Sequence, residues 1–254
     1  MTVVPVRAGA VLTCTIDSPG TRNAIDRDIA AALTAAIRAA PDSGVRAIVL
    51  RGAGGAFSSG GNLRLMPPPD ADAADARLRT YAELLRAITR APLPVIAAVE
   101  GACAGIAVGI AAASDVVIAE SRAAFLLPHT RLGLFPDGGV LHTLAARVGP
   151  ARAKRLLLAG ETIGADAALA MGLADAVVAG EDFEARLGEE VAALAARAPL
   201  AVAAIKRAFA DGVGGLDDVL ETERREQLRL YWTADFAEGR QAFFDRRAPG
   251  FTGR

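Results

Sequence analysis

The residues on which disulfide, metal and thiol chemistry depends are scarce in this sequence. Of its 254 residues, only two are cysteine, Cys14 and Cys103, and only two are histidine, His129 and His142. Two cysteines do not make a disulfide framework, so we expect buried free thiols in a reducing compartment, the cytoplasm. The two histidines do not stand at the spacing of a zinc site, so we predict no metal centre.

The sequence also has no large excess of positive or negative charge and no long apolar run. Basic and acidic residues number 28 and 29, and the net charge of −1 gives no reason to expect nucleic acid or an anionic membrane as a partner. The most apolar segment, GACAGIAVGIAAAS (residues 101–114), is too short to span a bilayer and predicts a buried helix. The first residues lack the basic stretch and apolar run of a signal peptide, so we expect a soluble cytoplasmic protein.

Common catalytic motifs are missing too. The sequence has no G-x-S-x-G elbow, no lysine after a glycine-rich phosphate loop and no C-x-x-C pair. Serine-nucleophile, P-loop and dithiol chemistry are therefore disfavoured. Carboxylates and main-chain groups are left as the candidates for chemistry.

Strands and helices alternate along the first half of the chain. Apolar runs predict strands, and apolar residues spaced near 3.6 predict helices. Strands are expected at 10–16, 45–52, 92–101 and 115–120, with a helix at 24–40 that Pro41 ends. This alternation predicts an α/β core, and a hydrophobic content of 52% is enough to fill it.

The segment MPPPDADAAD (residues 66–75) predicts a mobile surface loop, because three prolines precede alternating Asp and Ala. Its acids Asp70, Asp72 and Asp75 lack the glycine and the final bidentate acid of a calcium loop. We therefore interpret them as solvated loop residues.

The last part of the chain predicts four successive helices with charged faces, beginning near residue 182. Thr233 stands where the N-cap of the last helix is expected. We divide the chain into a core, residues 1–195, and a C-terminal helical region, residues 196–254. The final RRAPGFTGR is expected to fray.

Two junctions between a strand and a helix are rich in glycine, AFSSGGN (residues 56–62) and EGACAGIAVG (residues 100–109). Glycine lets a ligand approach the main chain, and a helix N-terminus presents unpaired N–H donors. Two such junctions can aim two amides at one oxygen, which is an oxyanion hole. The alternative is that the glycines only permit tight turns and close helix packing.

Five blocks of the sequence resemble, in their order, the enoyl-CoA hydratase/isomerase (crotonase) superfamily: RNAI, VRAIVLRGAGGAFSSGGNL, PVIAAVEGACAGIAVGIAAASDVVIAE, AAFLLPHTRLGLFPDGG and AGETIGADAALAMGLADAVV. The resemblance implies an α/β, crotonase-like spiral of ββα units whose residues 1–195 bind acyl-CoA. It also implies that the C-terminal helical region serves trimerisation, in a homotrimer or a dimer of trimers. The substrate is then an acyl-CoA thioester, with no cofactor beyond coenzyme A itself.

The resemblance assigns the oxyanion amides to Gly61 and Ile106. It places the adenine end of coenzyme A near the backbone of Arg22 and Ala24, and Arg64 near the pantetheine or phosphate path. Ser59 and Gly105, beside the two amides, are assigned to coenzyme A binding as well. Lys206, Arg246 and Arg247 are candidates for the 3′-phosphate of a neighbouring subunit, or ordinary solvated charges.

The two glutamates that hydratases of this superfamily use fall at Gly109 and His129 here, so both acids are missing. Asp137, in GLFPDGG, corresponds to the aspartate that moves protons in isomerase branches with PDGG or PDAG. We therefore expect isomerisation of an unsaturated acyl-CoA with Asp137 as acid and base.

Several alternatives stay open at this point. Asp137 can instead cap the helix that follows it, and the aspartate nucleophile of the dehalogenase branch is disfavoured because the only tryptophan, Trp232, lies in the tail. His129 is the rival base, or holds a water for hydration, or is a hydrogen-bonded wall residue. A non-catalytic acyl-CoA-binding protein is the alternative from another class.

Overall fold

The computed structural model describes residues 2–254, which form two sheets and a set of helices. The strands are β1 (Thr2–Ala8), β2 (Val11–Asp17), β3 (Ala47–Gly52), β4 (Val95–Val99), β5 (Ala102–Ala104), β6 (Val116–Glu120), β7 (Ala124–Leu126), β8 (Thr162–Gly164) and β9 (Ala176–Val178). The helices are α1 (Arg27–Ala39), α2 (Ala71–Arg90), α3 (Ile106–Ala113), α4 (Val140–Val148), α5 (Pro150–Ala159), α6 (Ala165–Ala170), α7 (Phe183–Ala195), α8 (Pro199–Asp211), α9 (Leu216–Leu230) and α10 (Ala234–Asp245). The predicted α/β architecture is confirmed.

The larger sheet has the strand order β1-β2-β3-β4-β6-β9, and the smaller sheet has the order β5-β7-β8. The pairs β1–β2 and β7–β8 are antiparallel, and every other described pair is parallel. Strands β3 and β4 read AIVLRG and VIAAV and are almost wholly buried, as expected for central parallel strands covered on both faces. The small sheet leads directly into α3 and thereby positions the candidate site.

Helix α1 shows how the sequence sets these boundaries. The carboxylate of Asp26 accepts a hydrogen bond from the amide of Ile29, 2.9 Å away, and so caps the helix N-terminus. Ile29, Leu33 and Ile37 follow at intervals of four residues and are buried on one face. The prediction of a helix at 24–40 is confirmed, with its start moved to the capped residue.

The prediction of a mobile loop over residues 66–75 is wrong from residue 71 onward, because the long helix α2 begins there. The carboxylate of Asp70 accepts from the amide of Ala73 at 2.7 Å and caps this helix, and Asp75 pairs with Arg79 on its exposed face. The apolar side buries Tyr81 and the leucines and isoleucine that follow it. The prolines end before the cap, so they do not interrupt the helix.

The helix predicted over residues 101–114 is shorter than expected. Residues 102–104 form strand β5, and the helix begins only at Ile106. Gly101 therefore precedes a strand, and Gly105 is the N-cap residue of the helix. The segment is buried, as predicted, but in a sheet for its first third.

The four predicted tail helices are α7 to α10, and the hydroxyl of Thr233 caps α10 by accepting from the amide of Phe236 at 3.1 Å. The end of the chain is held in place and not frayed. The buried carboxylate of Asp235 accepts from the amides of Thr252 (2.6 Å) and Gly253 (2.9 Å). The boundary expected after residue 195 falls at the end of α7. Within the described chain, every helix falls short of the length and hydropathy that a membrane span requires.

Candidate active site

The two glycine-rich junctions lie side by side and in register. Ser58 forms a parallel β-bridge with Cys103, carried by two main-chain hydrogen bonds of 2.9 and 3.0 Å. Gly61 and Ile106 each lie three residues beyond one partner of this bridge. Since the two segments run in the same direction, both residues stand at the same level of the ladder.

Gly60 brings the two junctions into contact. Its φ is +88°, and a β-carbon added there would lie 2.5 Å from the carbonyl oxygen of Ala104, so the approach requires glycine. Within residues 2–254 the amides of Gly61 and Ile106 donate no hydrogen bond; Ile106 is the first residue of α3, where an amide has no intrahelical acceptor. Two unpaired amide donors therefore border one cavity.

The loop that carries Asp137 packs against the start of α3. A β-carbon on Gly138 would lie 2.4 Å from the side chain of Ile106, which shows how closely the two segments approach. Helix α4 begins after Gly139, and no side chain caps it. The carboxylate of Asp137 is therefore not tied up at the helix N-terminus, and it borders the cavity with its side chain 30% exposed.

His129 stands next to this carboxylate. Its Nε2 atom lies 3.7 Å from Oδ1 of Asp137, which is beyond hydrogen-bond distance. The side chain is buried, with 5% of the residue exposed, and neither ring nitrogen has a hydrogen-bond partner within the described residues. His129 is a wall residue of the cavity, and no described residue forms a hydrogen bond with its ring.

A cavity of about 580 Å³ collects most of the residues that the sequence singled out. Its walls include Gly61, Ile106, His129 and Asp137, together with Ser59 and Gly105. Most of the remaining lining is apolar: Leu63, Met66, Pro67, Pro68, Ala74, Leu78, Pro128, Leu132, Leu134 and Phe135. The site is thus an apolar cavity with a few convergent polar groups, the usual form of a small-molecule site.

The residues assigned to coenzyme A divide into two groups. Ser59 lines the cavity and is fixed by its neighbours: its amide donates to the carbonyl of Arg22 (2.9 Å) and its hydroxyl to the carbonyl of Thr21 (2.7 Å). Arg22, Ala24 and Arg64 lie outside the cavity lining. The carbonyl of Ala24 accepts no hydrogen bond from the described residues. The assignment of these residues to coenzyme A stays a prediction.

The position of the first missing glutamate has no room for a side chain. A β-carbon on Gly109 would lie 2.2 Å from the carbonyl oxygen of Gly138 and 2.9 Å from a methyl group of Val140. The loop that carries Asp137 occupies that space. The two glutamates are absent from the sequence, and the backbone around Gly109 also leaves no space for the side chain of the first one.

Sequence reasoning missed Arg77, on α2. Its Nη2 atom lies 3.0 Å from the position that a β-carbon on Gly61 would take, so the guanidinium reaches one of the candidate oxyanion residues. Its Nε donates to the hydroxyl of Tyr81 at 2.8 Å, and that hydroxyl donates to the carbonyl of Ile25 at 2.9 Å. Burial raises the pKa of Tyr81. The spacing of four residues between Arg77 and Tyr81 could have indicated that the two side chains interact, but only if the segment had been predicted to be helical.

Two of the three basic tail residues considered for the 3′-phosphate, Lys206 and Arg247, form ion pairs within the chain. Lys206 is only 8% exposed; it pairs with Asp115 and donates to the carbonyl of Ile88 at 3.3 Å. Arg247 pairs with Glu238. The expectation that Lys206 reaches a 3′-phosphate is wrong, because its ammonium is buried against a carboxylate of its own chain.

Known proteins resemble this chain over nearly its full length. The sequence profile of the family described as enoyl-CoA hydratase/isomerase matches residues 7–254. A probable enoyl-CoA hydratase of Rhodobacter capsulatus is 44% identical, covering 94% of this chain and 93% of that protein. The 1,2-epoxyphenylacetyl-CoA isomerase of Escherichia coli is 33% identical, covering 96% of this chain and 95% of that protein.

The fold is equally similar to a solved structure. The crystal structure of an enoyl-CoA hydratase from Polaromonas sp. JS666 superposes with a TM-score of 0.91 at 32% identity, over 98% of this chain and 99% of that chain. The names of these relatives include both hydratases and an isomerase. The reaction must therefore be argued from the side chains of this cavity.

Proposed function

The chain belongs to the enoyl-CoA hydratase/isomerase family, and on that premise we propose that it isomerises the double bond of an unsaturated acyl-CoA. One observation carries the proposal. Asp137 is the only carboxylate among the described residues that line the cavity, and it shares that cavity with the free amides of Gly61 and Ile106. One acid with two oxyanion donors matches the needs of isomerisation, which moves a single proton.

The reaction starts from a 3-enoyl thioester whose carbonyl oxygen accepts from both amides. The Asp137 carboxylate removes a proton from C2, and the electron pair of that C–H bond forms a dienolate whose oxygen carries the charge. The amides of Gly61 and Ile106 stabilise this oxygen in a cavity with apolar walls, where such donors are most effective. Asp137 then returns the proton to C4, so that the double bond ends between C2 and C3.

His129 acts on Asp137 in this scheme as a positioning residue. A shift of the carboxylate that shortens the 3.7 Å separation lets Nε2 donate to it and orient it over the substrate. The same unpartnered nitrogen supports a second candidate function, hydration of a 2-enoyl-CoA, in which His129 and Asp137 hold a water between them. The absence of both hydratase glutamates makes hydration the weaker candidate.

Two substrates and one variant test the proposal. The protein is incubated with 3-hexenoyl-CoA and with 2-hexenoyl-CoA, and the absorbance of the conjugated thioester is followed. This absorbance rises when the 3-enoyl substrate is isomerised and falls when the 2-enoyl substrate is hydrated. We expect the rise with the 3-enoyl substrate. Asp137→Asn should lower its rate on the order of 10²–10⁴-fold, because a positioned acid or base contributes that much.

Each other outcome has a definite meaning. Full isomerase activity in Asp137→Asn would show that this carboxylate is not the proton carrier. A fall with the 2-enoyl substrate that His129→Gln abolishes would support the hydratase candidate. No reaction with either substrate, while acyl-CoA still binds in calorimetry, would support a binding protein.

We also propose that the protein assembles as a homotrimer or a dimer of trimers. The tail exposes large apolar side chains, with Trp232 87%, Phe243 78% and Phe244 72% exposed. A second cavity of about 650 Å³ lies between α8 and α9, away from the catalytic groups, and is lined by apolar residues such as Ile205 and Phe209. Apolar surface of this extent supports burial against another subunit.

The two cysteines support the proposed location in the cytoplasm. Cys14 and Cys103 are both buried and both free. Burial raises the pKa of the Cys14 thiol to about 11 and raises that of Cys103 further. Such thiols stay protonated and unreactive, as suits a protein whose fold does not depend on oxidation.

A further inference from the structure

The guanidinium of Arg77 borders the catalytic cavity, and one of its nitrogens is buried without an acceptor. Nη2 of Arg77 is shielded from solvent and has no hydrogen-bond partner among residues 2–254. Leaving a buried charged donor unpaired is costly, so an acceptor is expected when the site is filled. Arg77 is also the only permanently charged cation among the described residues that line this cavity.

The rest of the side chain is held in place, so the unpaired nitrogen has a fixed position. Nε is bonded to the hydroxyl of Tyr81, and the guanidinium carbon lies 5.3 Å from the centre of the Tyr81 ring. Arg77 forms no ion pair with a described carboxylate, and the nearby Asp26 is occupied in capping α1. The orientation of Arg77 is therefore set before any ligand binds.

The position of Nη2 indicates that its hydrogen-bond acceptor is an atom of the acyl group of the substrate. Nη2 lies within about 4.5 Å of the α-carbon of Gly61, since a Cα–Cβ bond is about 1.5 Å long. It is thus close to the proposed thioester carbonyl, on the side of Gly61, whereas Asp137 approaches from the side of Ile106. We therefore assign the acceptor for Nη2 to the acyl group and not to the phosphates of coenzyme A.

We infer that Arg77 binds an oxygen of the acyl group itself, and that the preferred substrates carry a carboxylate or hydroxyl a few carbons from the thioester. This inference rests on the proposed binding of an acyl-CoA at Gly61 and Ile106, and adds the class of acyl group. The methyl end of Met66, which lies 2.9 Å from the same β-carbon position on Gly61, is displaced when the oxygen binds. A methionine side chain is flexible enough to move aside.

Three saturated thioesters of four carbons test the inference: butanoyl-CoA, 3-hydroxybutanoyl-CoA and succinyl-CoA. Their coenzyme A parts are identical, so ratios of dissociation constants from calorimetry report the acyl group alone. We expect the protein to bind succinyl-CoA about tenfold to one hundredfold more tightly than butanoyl-CoA, the contribution of a hydrogen bond between charged groups. Preference for the hydroxyl compound instead would identify a neutral oxygen as the ligand of Arg77.

Arg77→Gln should abolish the preference, so that succinyl-CoA and butanoyl-CoA bind with equal affinity. Arg77→Lys should retain part of it, because the charge is kept and the planar fork is lost. Arg79→Gln, on the exposed face of the same helix, is the matched control and should change nothing. Thermal unfolding of each variant establishes that it is folded.

Equal affinity of the unmodified protein for all three thioesters, or a preference that persists in Arg77→Gln, would overturn the inference. None of the three thioesters has a double bond to move, so the result does not depend on isomerase activity. Asp137→Asn removes a like charge from the same cavity, so it should keep or strengthen the preference for succinyl-CoA while it lowers isomerisation. Loss of isomerisation and loss of acyl selectivity are thereby separated.

Discussion

Gly60 is the residue on which the candidate oxyanion hole depends most directly. It holds a positive φ and places its α-carbon against the carbonyl of Ala104, so the two amide-bearing junctions touch. Any side chain here has to push the junctions apart. The amide of Gly61, one residue on, would move with it.

Gly60→Ala should therefore lower the isomerase rate by at least about tenfold, since displaced oxyanion donors cost on the order of 10²–10³ in rate when lost completely. Gly54→Ala is the matched control, because Gly54 also has a positive φ but no atom within 4 Å of an added β-carbon. Both variants share the backbone strain, and only the first has the clash. Steady-state rates and melting temperatures of the two variants check the prediction, and equal rates would count against the role of the close contact.

The residues of the site differ in how far the sequence could locate them. Gly61, Ile106 and Asp137 lie in motifs with glycines beside them, and the structure brings all three to one cavity. Arg77 was missed because no element was predicted between the proline-rich segment, which ends at residue 75, and the strand expected at 92–101. Nothing in the sequence shows that its nitrogen lacks a partner, because that depends on how α2 packs over Gly61.

At the scale of elements, an ion pair with a buried ammonium joins the tail to the core. Lys206 on α8 pairs with Asp115, which precedes β6 and also accepts from the amide of Val95 at 2.7 Å in β4. Lys206 donates to the carbonyl of Ile88 in α2 as well. Burial lowers the pKa of Lys206, and the carboxylate of Asp115 opposes that effect. One pair thus links α8 to two strands and a helix.

Removing the acid should be more harmful than removing the base. Asp115→Ala leaves the ammonium buried without a counter-ion and the Val95 amide unpaired, and should cost about 3 kcal/mol of unfolding free energy. Lys206→Met keeps the apolar stem and buries no charge, so its cost should be smaller. The double variant Asp115→Ala with Lys206→Met should be more stable than Asp115→Ala alone. Urea unfolding measures all three, and a double variant less stable than either single one would contradict this account.

The elements that the hydrophobic pattern of the sequence predicted correctly are those that bury a continuous apolar face. β3, β4 and α1 appear where the apolar runs and the 3.6-residue spacing predicted them. β1 was not anticipated because it is an exposed edge strand that contains Pro5, and three-residue strands such as β5 are too short to stand out. The helix α2 was hidden by the prolines before its cap.

At the scale of the whole molecule, the crotonase-like fold that the sequence motifs implied is confirmed, and the tail exposes several large apolar side chains. Helix α7 buries Phe183, Leu187 and Val191 against the large sheet, and α8 is joined to the core by the pair of Lys206. Helix α10 exposes Phe243 and Phe244, and Trp232 is exposed in the turn before it. In a monomer these side chains would stay in water.

Exchange of Phe243 and Phe244 for serine should convert the proposed trimer to monomers, because each phenylalanine buried at an interface contributes about 1.5–3 kcal/mol. Light scattering after size-exclusion chromatography measures the mass. Leu158→Ser is the control, since this residue is 67% exposed but lies on α5 outside the tail. A monomeric mass for the unmodified protein would contradict the proposed assembly.

The β-bridge between Ser58 and Cys103 makes this scaffold suitable for redesign. Peptide groups at strand spacing, about 4.8 Å, form the frame of the proposed hole, and the acid stands on a separate loop. An engineer can therefore exchange residues 136 and 137 for another proton carrier while keeping Gly138, whose close contact with Ile106 belongs to the frame. New chemistry on thioesters would then require changing one short connection in a chain of 254 residues.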